Sequence, residues 1–265
     1  MSAWTKSKNT PPDPAAVMAR TIILKFIFVK GLATPPPELL EQCKARWTMD
    51  EWNRFIDDAR NRDAQQIENL RQIGLWEAME DEEHTFMQAN PTELTQQKLI
   101  DANWLAESIV CLLWALGYIS EMSAYDQRVD PGLTNKLPTT DPVKILLKKA
   151  TFRTRESIEK QRDLAELWHW RSRTRQLLES GQTFTLPKDM TIDKVLQITS
   201  AKAAKDGVIP SPIGNDLPAF GKPYRDLTDE EYSLATSIAM ERHRAFNWLC
   251  GFAPGNRWAE TPTDT

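Results

Sequence analysis

The stretch TELTQQKLIDANWLAESIVCLLWALGYISE, residues 92–121, decides the fold class. Within it Leu105, Ile109, Leu112, Leu113 and Leu116 recur at helical spacing and make one apolar stripe. Trp104, Cys111, Trp114 and Tyr118 make a second. A helix that is apolar nearly all round belongs in the middle of a protein, with other elements on every side. The expected N-cap is Thr92, with Thr95 inside the first turn.

Outward from this helix, the chain keeps reading as helix. A first one is expected from residue 14 or 15 to about Gly31, stopped by the three prolines at 35–37. Residues 22–28 have a strand-like composition, but their helical neighbourhood favours helix. Further helices are expected near 38–45, 49–60 and 63–80. After the central helix comes a loop at 126–140, holding Pro131, Gly132 and Pro138, and then a short helix at 142–150. A long helix fits 154–180 and ends at Gly181. Two more fit 191–206 and 228–250, the last opened by a Thr228/Glu231 capping-box pattern.

Two segments are irregular without looking disordered. Residues 207–227 carry Pro210, Pro212, Pro218 and Pro223 with Phe220 and Tyr224 between them, and residues 251–265 carry Trp258. Ordered loops of such length are often functional. Alternating strand patterns are absent. The expected fold class is therefore all-α: a single bundle-like domain of about nine helices over 15–265, with a long ordered loop and a C-terminal tail over the bundle. Residues 1–14 are expected to be disordered or loosely packed.

The 265 residues suffice for a substantial core, and 41% hydrophobic with 26% charged residues is ordinary for a globular chain. A formal charge of −4 argues against whole-protein attraction to nucleic acid or to an anionic membrane. Ten tryptophans point to a densely packed interior or an aromatic-lined groove. Cys43, Cys111 and Cys250 show no CxxC spacing and read as reduced core thiols of a reducing compartment, not as staples or zinc ligands. No secretory signal opens the chain, and the apolar runs at 22–29 and 109–119 fall short of the roughly 20 residues that span a bilayer. A cytoplasmic protein without a membrane anchor is expected.

Several charges fall on apolar faces. Glu107 lies within the second stripe of the central helix. On the helix at 154–180, Leu164, Leu167, Trp168, Thr174 and Leu178 share a face from which Arg171 and Arg175 project. On the last helix Glu241 sits among Leu234, Ile238, Ala245, Trp248 and Leu249. Lone buried charges are costly, so these acids and guanidiniums are expected to find one another. The result is either an ion-pair cluster that fixes how three helices register, or a pocket for an anion or a small polar ligand. The first is the plainer reading.

Catalytic patterns are sparse. Glu166 and His169 give one Glu-x-x-His, and the second pair that a di-iron bundle needs is missing, so no metal is expected. Arg162 and His169 give an Arg-x6-His spacing that resembles the motif of HEPN ribonucleases, although a solvated face beside a core stripe explains it more simply. Trp168-His-Trp-Arg-Ser-Arg-Thr-Arg175 mixes aromatics and cations as single-strand nucleic-acid binders do, but a helix packing through its tryptophans is the plainer account. GxSxG, GxxxxGK[ST] and GxGxxG are absent, and no cofactor is expected.

Five blocks together carry a family resemblance. They are Trp104-x-x-Glu107, Trp114-Ala-Leu-Gly117, Trp168-His-Trp-Arg171, Glu241-Arg-His-Arg-Ala-Phe-Asn-Trp-Leu249, and Trp258 with the closing Asp264-Thr265. They resemble a bacterial family known only as a domain of unknown function, with a Glu-Arg-His-x-Ala-x-Asn-Trp-Leu hallmark near its end. The resemblance implies that Glu107, Arg171 and Glu241 belong to one architecture, and it implies no activity. Ala259 follows Trp258 where members usually carry an acid, which removes that acid from any site here.

The expected function is that of a non-enzymatic binding or interaction protein, with a protein partner or a small anionic ligand. Its surface is expected where 207–227 and the tail meet Glu107, Arg171, Arg175 and Glu241. The alternative is an enzyme acting on a phosphate-bearing or nucleotide substrate. There Arg171 or Arg175 would hold the anion, and His169 or His243 would move protons near neutral pH.

Overall fold

Thr95, not Thr92, caps the central helix: its hydroxyl accepts the Lys98 N–H, and Thr92 lies in a preceding 3-10 turn. This helix, α5, runs Gln96–Ala115 and buries Glu107 and Ser108 together with its apolar residues. It stops well short of residue 121 because Gly117 takes φ +79° and the backbone turns away. A Cβ at Gly117 would lie 2.4 Å from the Thr151 carbonyl oxygen, so glycine is needed for space as well as conformation.

A computed structural model describes residues 9–137, 143–148, 150–182 and 185–264. The expectations for residues 1–8, for the loop end at 138–140, for residues 142 and 149 of the short helix and for Thr265 lie outside the described residues. Within them the α-helices are α1 (Pro14–Ala33), α2 (Pro37–Arg46), α3 (Met49–Gln72), α4 (Asp81–Gln88), α5, α6 (Val143–Leu147), α7 (Arg155–Glu179), α8 (Ile192–Lys205) and α9 (Asp229–Leu249). The protein is all-α, and the one sheet among the described residues has two strands of two residues each. No described helix is long and apolar enough to cross a membrane.

Packing follows the apolar patterns. α1 lies along α5, α5 along α9, and α9 along α7. The close approach of α1 to α5 needs Gly31, where a Cβ would come within 2.7 Å of the Ala102 Cβ. The apolar cluster runs from Val17 on α1 through α5 and α9 to Trp258 in the tail. Cap signals mark most helix starts: Asp13 with Pro14 for α1, Thr154 for α7, Thr191 for α8, and the Thr228/Glu231 box for α9.

Four sequence expectations are corrected. The helices expected at 49–60 and 63–80 are one helix, α3, because Asn61 and Arg62 hold no breaker and Asp63 is held inward by Lys30 at 2.9 Å. α3 ends before Gly74, a 3-10 turn follows, and α4 forms at Asp81–Gln88, where the sequence pattern predicts no helix. Residues 207–227 hold the small hairpin β1 (Pro218–Ala219) and β2 (Lys222–Pro223), closed by Phe220 and Gly221 with positive φ, as a tight turn requires. Leu178, expected on the apolar face, is exposed in the final turn of α7, which ends at Glu179. Of the N-terminal stretch, residues 9–13 rest on the C-terminal one, Asn9 donating to the Ala253 carbonyl at 2.9 Å.

Candidate functional site

The sequence Glu241-Arg-His-Arg on α9 organises the polar interior. Consecutive helix residues project about 100° apart, so these four reach different neighbours. Glu241 accepts a hydrogen bond from Ser108 of α5 at 2.9 Å and pairs with Arg244 at 3.0 Å. Arg242 pairs with Glu107 at 2.8 Å and donates to the Ser123 carbonyl at 2.6 Å and the Ser123 hydroxyl at 2.9 Å. The other oxygen of Glu107 accepts the Val129 N–H at 2.8 Å. Both partners of this pair are fully buried. Burial pushes the Glu241 carboxyl above the usual carboxylate range, against the pull of Arg244 and Ser108.

His243 meets His169 of α7, Nδ1 to Nδ1, at 3.0 Å. Asn247 fixes the proton positions. Its Oδ1 accepts from Arg162 Nε at 3.2 Å, so its Nδ2 donates to the Pro262 carbonyl at 2.8 Å and faces His243 Nε2 at 2.9 Å. His243 Nε2 is then an acceptor, its proton sits on Nδ1 and points to His169, and His169 carries its proton on Nε2. Burial, first of all, lowers His169 to about 4 and His243 to about 3, so both imidazoles are neutral at pH 7. Arg162 pairs with Glu166 at 3.0 Å and Asp163 at 2.6 Å. Burial raises Glu166 to about 7 despite that guanidinium.

The inward arginines of α7 go elsewhere. Arg171 makes a two-pronged pair with Asp216, both bonds 2.7 Å, and lies 4.8 Å over the Tyr224 ring. Asp216 also accepts the Leu217 and Arg225 N–H groups at 2.8 and 3.0 Å. Burial alone would raise Asp216, yet Arg171 and these N–H donors hold it below the usual carboxylate range. This pair fastens the 207–227 loop to α7. Arg175 is half-buried; it pairs with exposed Glu179 at 2.6 Å and donates to the Leu227 carbonyl at 2.9 Å.

Glu107, Arg171, Arg175 and Glu241 therefore do not converge as one cluster. Each has its own partner, and Arg242, Asp216 and Ser108 supply what was expected from the four alone. The pairing Arg162 and His169, read from sequence as lying on a solvated face, is buried instead, because α9 covers it with His243 and Asn247. Among the described residues no group of three His, Cys, Asp or Glu side chains is placed to hold a metal ion.

Where the loop and the tail meet this interior, two clefts open. Val208, Ile209 and Pro210 border one of about 390 Å³ with Trp168, Tyr125 and Arg242. Its Trp168 and Tyr125 rings stack on each other, centroids 5.3 Å apart, so each covers one face of the other. Trp258 borders the other, about 380 Å³, with Leu24, Phe86 and Leu105 on its floor and Asp81, Lys98, Asp101 and Arg244 near its rim. The tail is tied down beside it by the Ala259 N–H, which donates to Glu80 at 2.9 Å.

A different surface was missed from sequence. Trp47 ends α2, and Trp52 and Phe55 open α3; their rings lie 5.6–6.4 Å apart and touch one another. None of the three joins the main apolar cluster. Trp47 is 38% exposed, Leu39 46% and Met49 71%, and Leu40 is the single buried side chain of α2. Trp52, Phe55, Ile56 and Ala59 have the i, i+3, i+4, i+7 spacing of a buried stripe, but only Ala59 is buried. The stripe was readable; that Trp52, Phe55 and Ile56 stay half-buried outside the core was not.

A family model described as a domain of unknown function, DUF4272, matches residues 5–192. The match takes in α1 to α7 and leaves Glu241–Leu249, the block read as a hallmark, outside it. No curated protein and no solved structure matches the chain. With well over half of its length matched, the chain belongs to the family DUF4272.

Proposed function

We propose that this is a cytoplasmic, non-enzymatic interaction protein whose protein partner docks on the aromatic face of α2 and α3. One observation carries the reading: Trp47, Trp52 and Phe55 form a ring cluster outside the core, flanked by exposed Leu39 and Met49. Apolar surface left partly open outside the core supports an interaction site, with Trp47, Leu39 and Met49 exposed and Trp52 and Phe55 half-buried, and tryptophan is enriched among the residues that dominate binding. The surrounding charges, Glu38, Lys44, Arg46, Asp50, Glu51 and Arg54 among them, are of both signs and suit a polar rim around an apolar centre. The free thiols Cys43, Cys111 and Cys250 support a reducing compartment. Glu107, Arg171, Arg175, Glu241, His169 and His243 serve in this reading as the scaffold of one domain over 15–265, which the apolar cluster from Val17 to Trp258 supports.

Site-specific photo-crosslinking in cells tests it. A crosslinking residue at position 52 is expected to trap one discrete protein partner, whereas one at exposed Ile198 on α8 is expected to trap none. Equal adducts from both positions, or none from position 52, contradict the assignment.

A further inference from the structure

On α5 the spacing i, i+3, i+4, i+7 holds Lys98, Asp101, Ala102 and Leu105, so one face of the helix passes from charged to apolar within two turns. That face borders the cleft of about 380 Å³, together with Leu24 and Ile27 of α1, Phe86 of α4 and Trp258 of the tail. Ile27, Phe86, Leu105 and Trp258 belong to the apolar core and still keep 6–9% exposure. All four line this cleft. Its volume is at the low end of the roughly 300–1,000 Å³ of ordinary ligand sites, which suits a guest of about amino-acid size.

The charges around this cleft are not used up by the fold. Lys98 and Asp101 are both exposed, and among the described residues no ion pair joins them. Asp101 accepts from the nearby Gln97 amide at 2.7 Å. Arg244 of α9, half-buried at the rim, gives Nη1 to Glu241 at 3.0 Å and keeps Nε and Nη2 to offer. α4 adds Asp81 and Glu82 to the rim. A wholly apolar guest would cover charges without pairing them, which is costly. A guest of one charge would answer one sign and crowd the other. The two charges of an α-amino acid sit a few bonds apart, and Lys98 and Asp101, neighbours one helical turn apart, offer both counter-charges close together. Its side chain then extends over Ala102 and Leu105.

We propose that the cleft formed by α1, α4, α5 and the tail binds an α-amino acid with an apolar side chain. The carboxylate pairs with Lys98 and Arg244, the ammonium with Asp101, and the side chain lies against Ile27, Phe86, Leu105 and Trp258. The site is independent of the α2–α3 aromatic face and stands if that reading falls.

Thermal unfolding of the full chain with L-phenylalanine tests this. Three analogues are compared at equal ionic strength: phenylpropionate, which lacks the ammonium, phenethylamine, which lacks the carboxylate, and glycine, which lacks the side chain. Phenylalanine is expected to give a saturating rise in melting temperature of roughly 2–4 °C, and each analogue a smaller one. Lys98→Met and Asp101→Asn are each expected to remove most of the phenylalanine response. Both positions are exposed, so the unliganded variants are expected to melt close to the wild type and to report on binding rather than folding. No saturating rise with phenylalanine, an equal rise with any of the three analogues, or a phenylalanine response unchanged in either variant overturns the proposal.

Discussion

The α5–α9–α7 seam and the α2–α3 face use the same residue types and put them to opposite ends. In the seam Trp114, Trp168 and Trp248 are buried, and Glu107, Arg171, Asp216 and Arg242 each have a charged partner within 2.8 Å. On the α2–α3 face Trp47, Trp52 and Phe55 touch mainly each other, and their neighbouring charges are in water. The difference is one of covering layers. α5 has α1 on one side and α9 on the other, whereas α2 buries only Leu40. An aromatic or a charge inside a covered layer must be satisfied by the fold; one outside it is available to something else.

That contrast can be broken first at its strongest point. Glu107→Gln keeps an acceptor for Val129 but leaves Arg242 buried without a counter-charge. Breaking a buried pair in this way costs about 3–5 kcal/mol, so urea unfolding is expected to show a loss of that size. A loss near zero would mean that water reaches Arg242 and that the seam is not closed.

Acid is the next lever. His169 and His243 titrate near 4 and 3 in the folded protein and near 6.5 when unfolded. Between those values the unfolded chain holds protons that the native one does not, so stability is full above pH 6.5 and falls as the pH drops toward 4. Each imidazole contributes a slope of about 1.4 kcal/mol per pH unit inside its window. Glu166, raised to about 7, contributes the opposite slope between its unfolded value and that point. The His169→Leu/His243→Leu double variant isolates the effect: it is expected to lose less stability than the wild type between pH 6.5 and 4.5. Parallel pH profiles would place the histidines in water.

Much of the fold could be read from the sequence because local signals agreed with the packing. Thr154 and Gly181 bracket α7, Thr228 and Glu231 open α9, and the double stripe of α5 gives its central place. The seam was legible only by half. Helical periodicity shows that Glu107, Arg171 and Glu241 face inward, but it does not show whom they meet. Asp216 sits in an irregular loop where no period places a side chain, and Arg242 reaches Glu107 by a path around α9 that depends on how the helices cross. The α2–α3 face failed for a related reason. The spacing of Trp52, Phe55, Ile56 and Ala59 is that of a core stripe, and sequence carries no mark of an opposite wall that covers it only in part.

The smallest expected stability effect is the most direct test. Chemical unfolding of the Trp47→Ser/Trp52→Ser/Phe55→Ser triple variant, set beside the single variant Trp168→Ala, compares the two regions on one scale. Removing three large rings from a core would be ruinous, since one buried tryptophan replaced by alanine costs about 3–5 kcal/mol. The triple variant is expected to lose no more than about 1 kcal/mol, in the range of substitutions away from the core, and Trp168→Ala the larger amount. A triple variant that loses as much as Trp168→Ala would show those rings to be part of the core and would contradict the account.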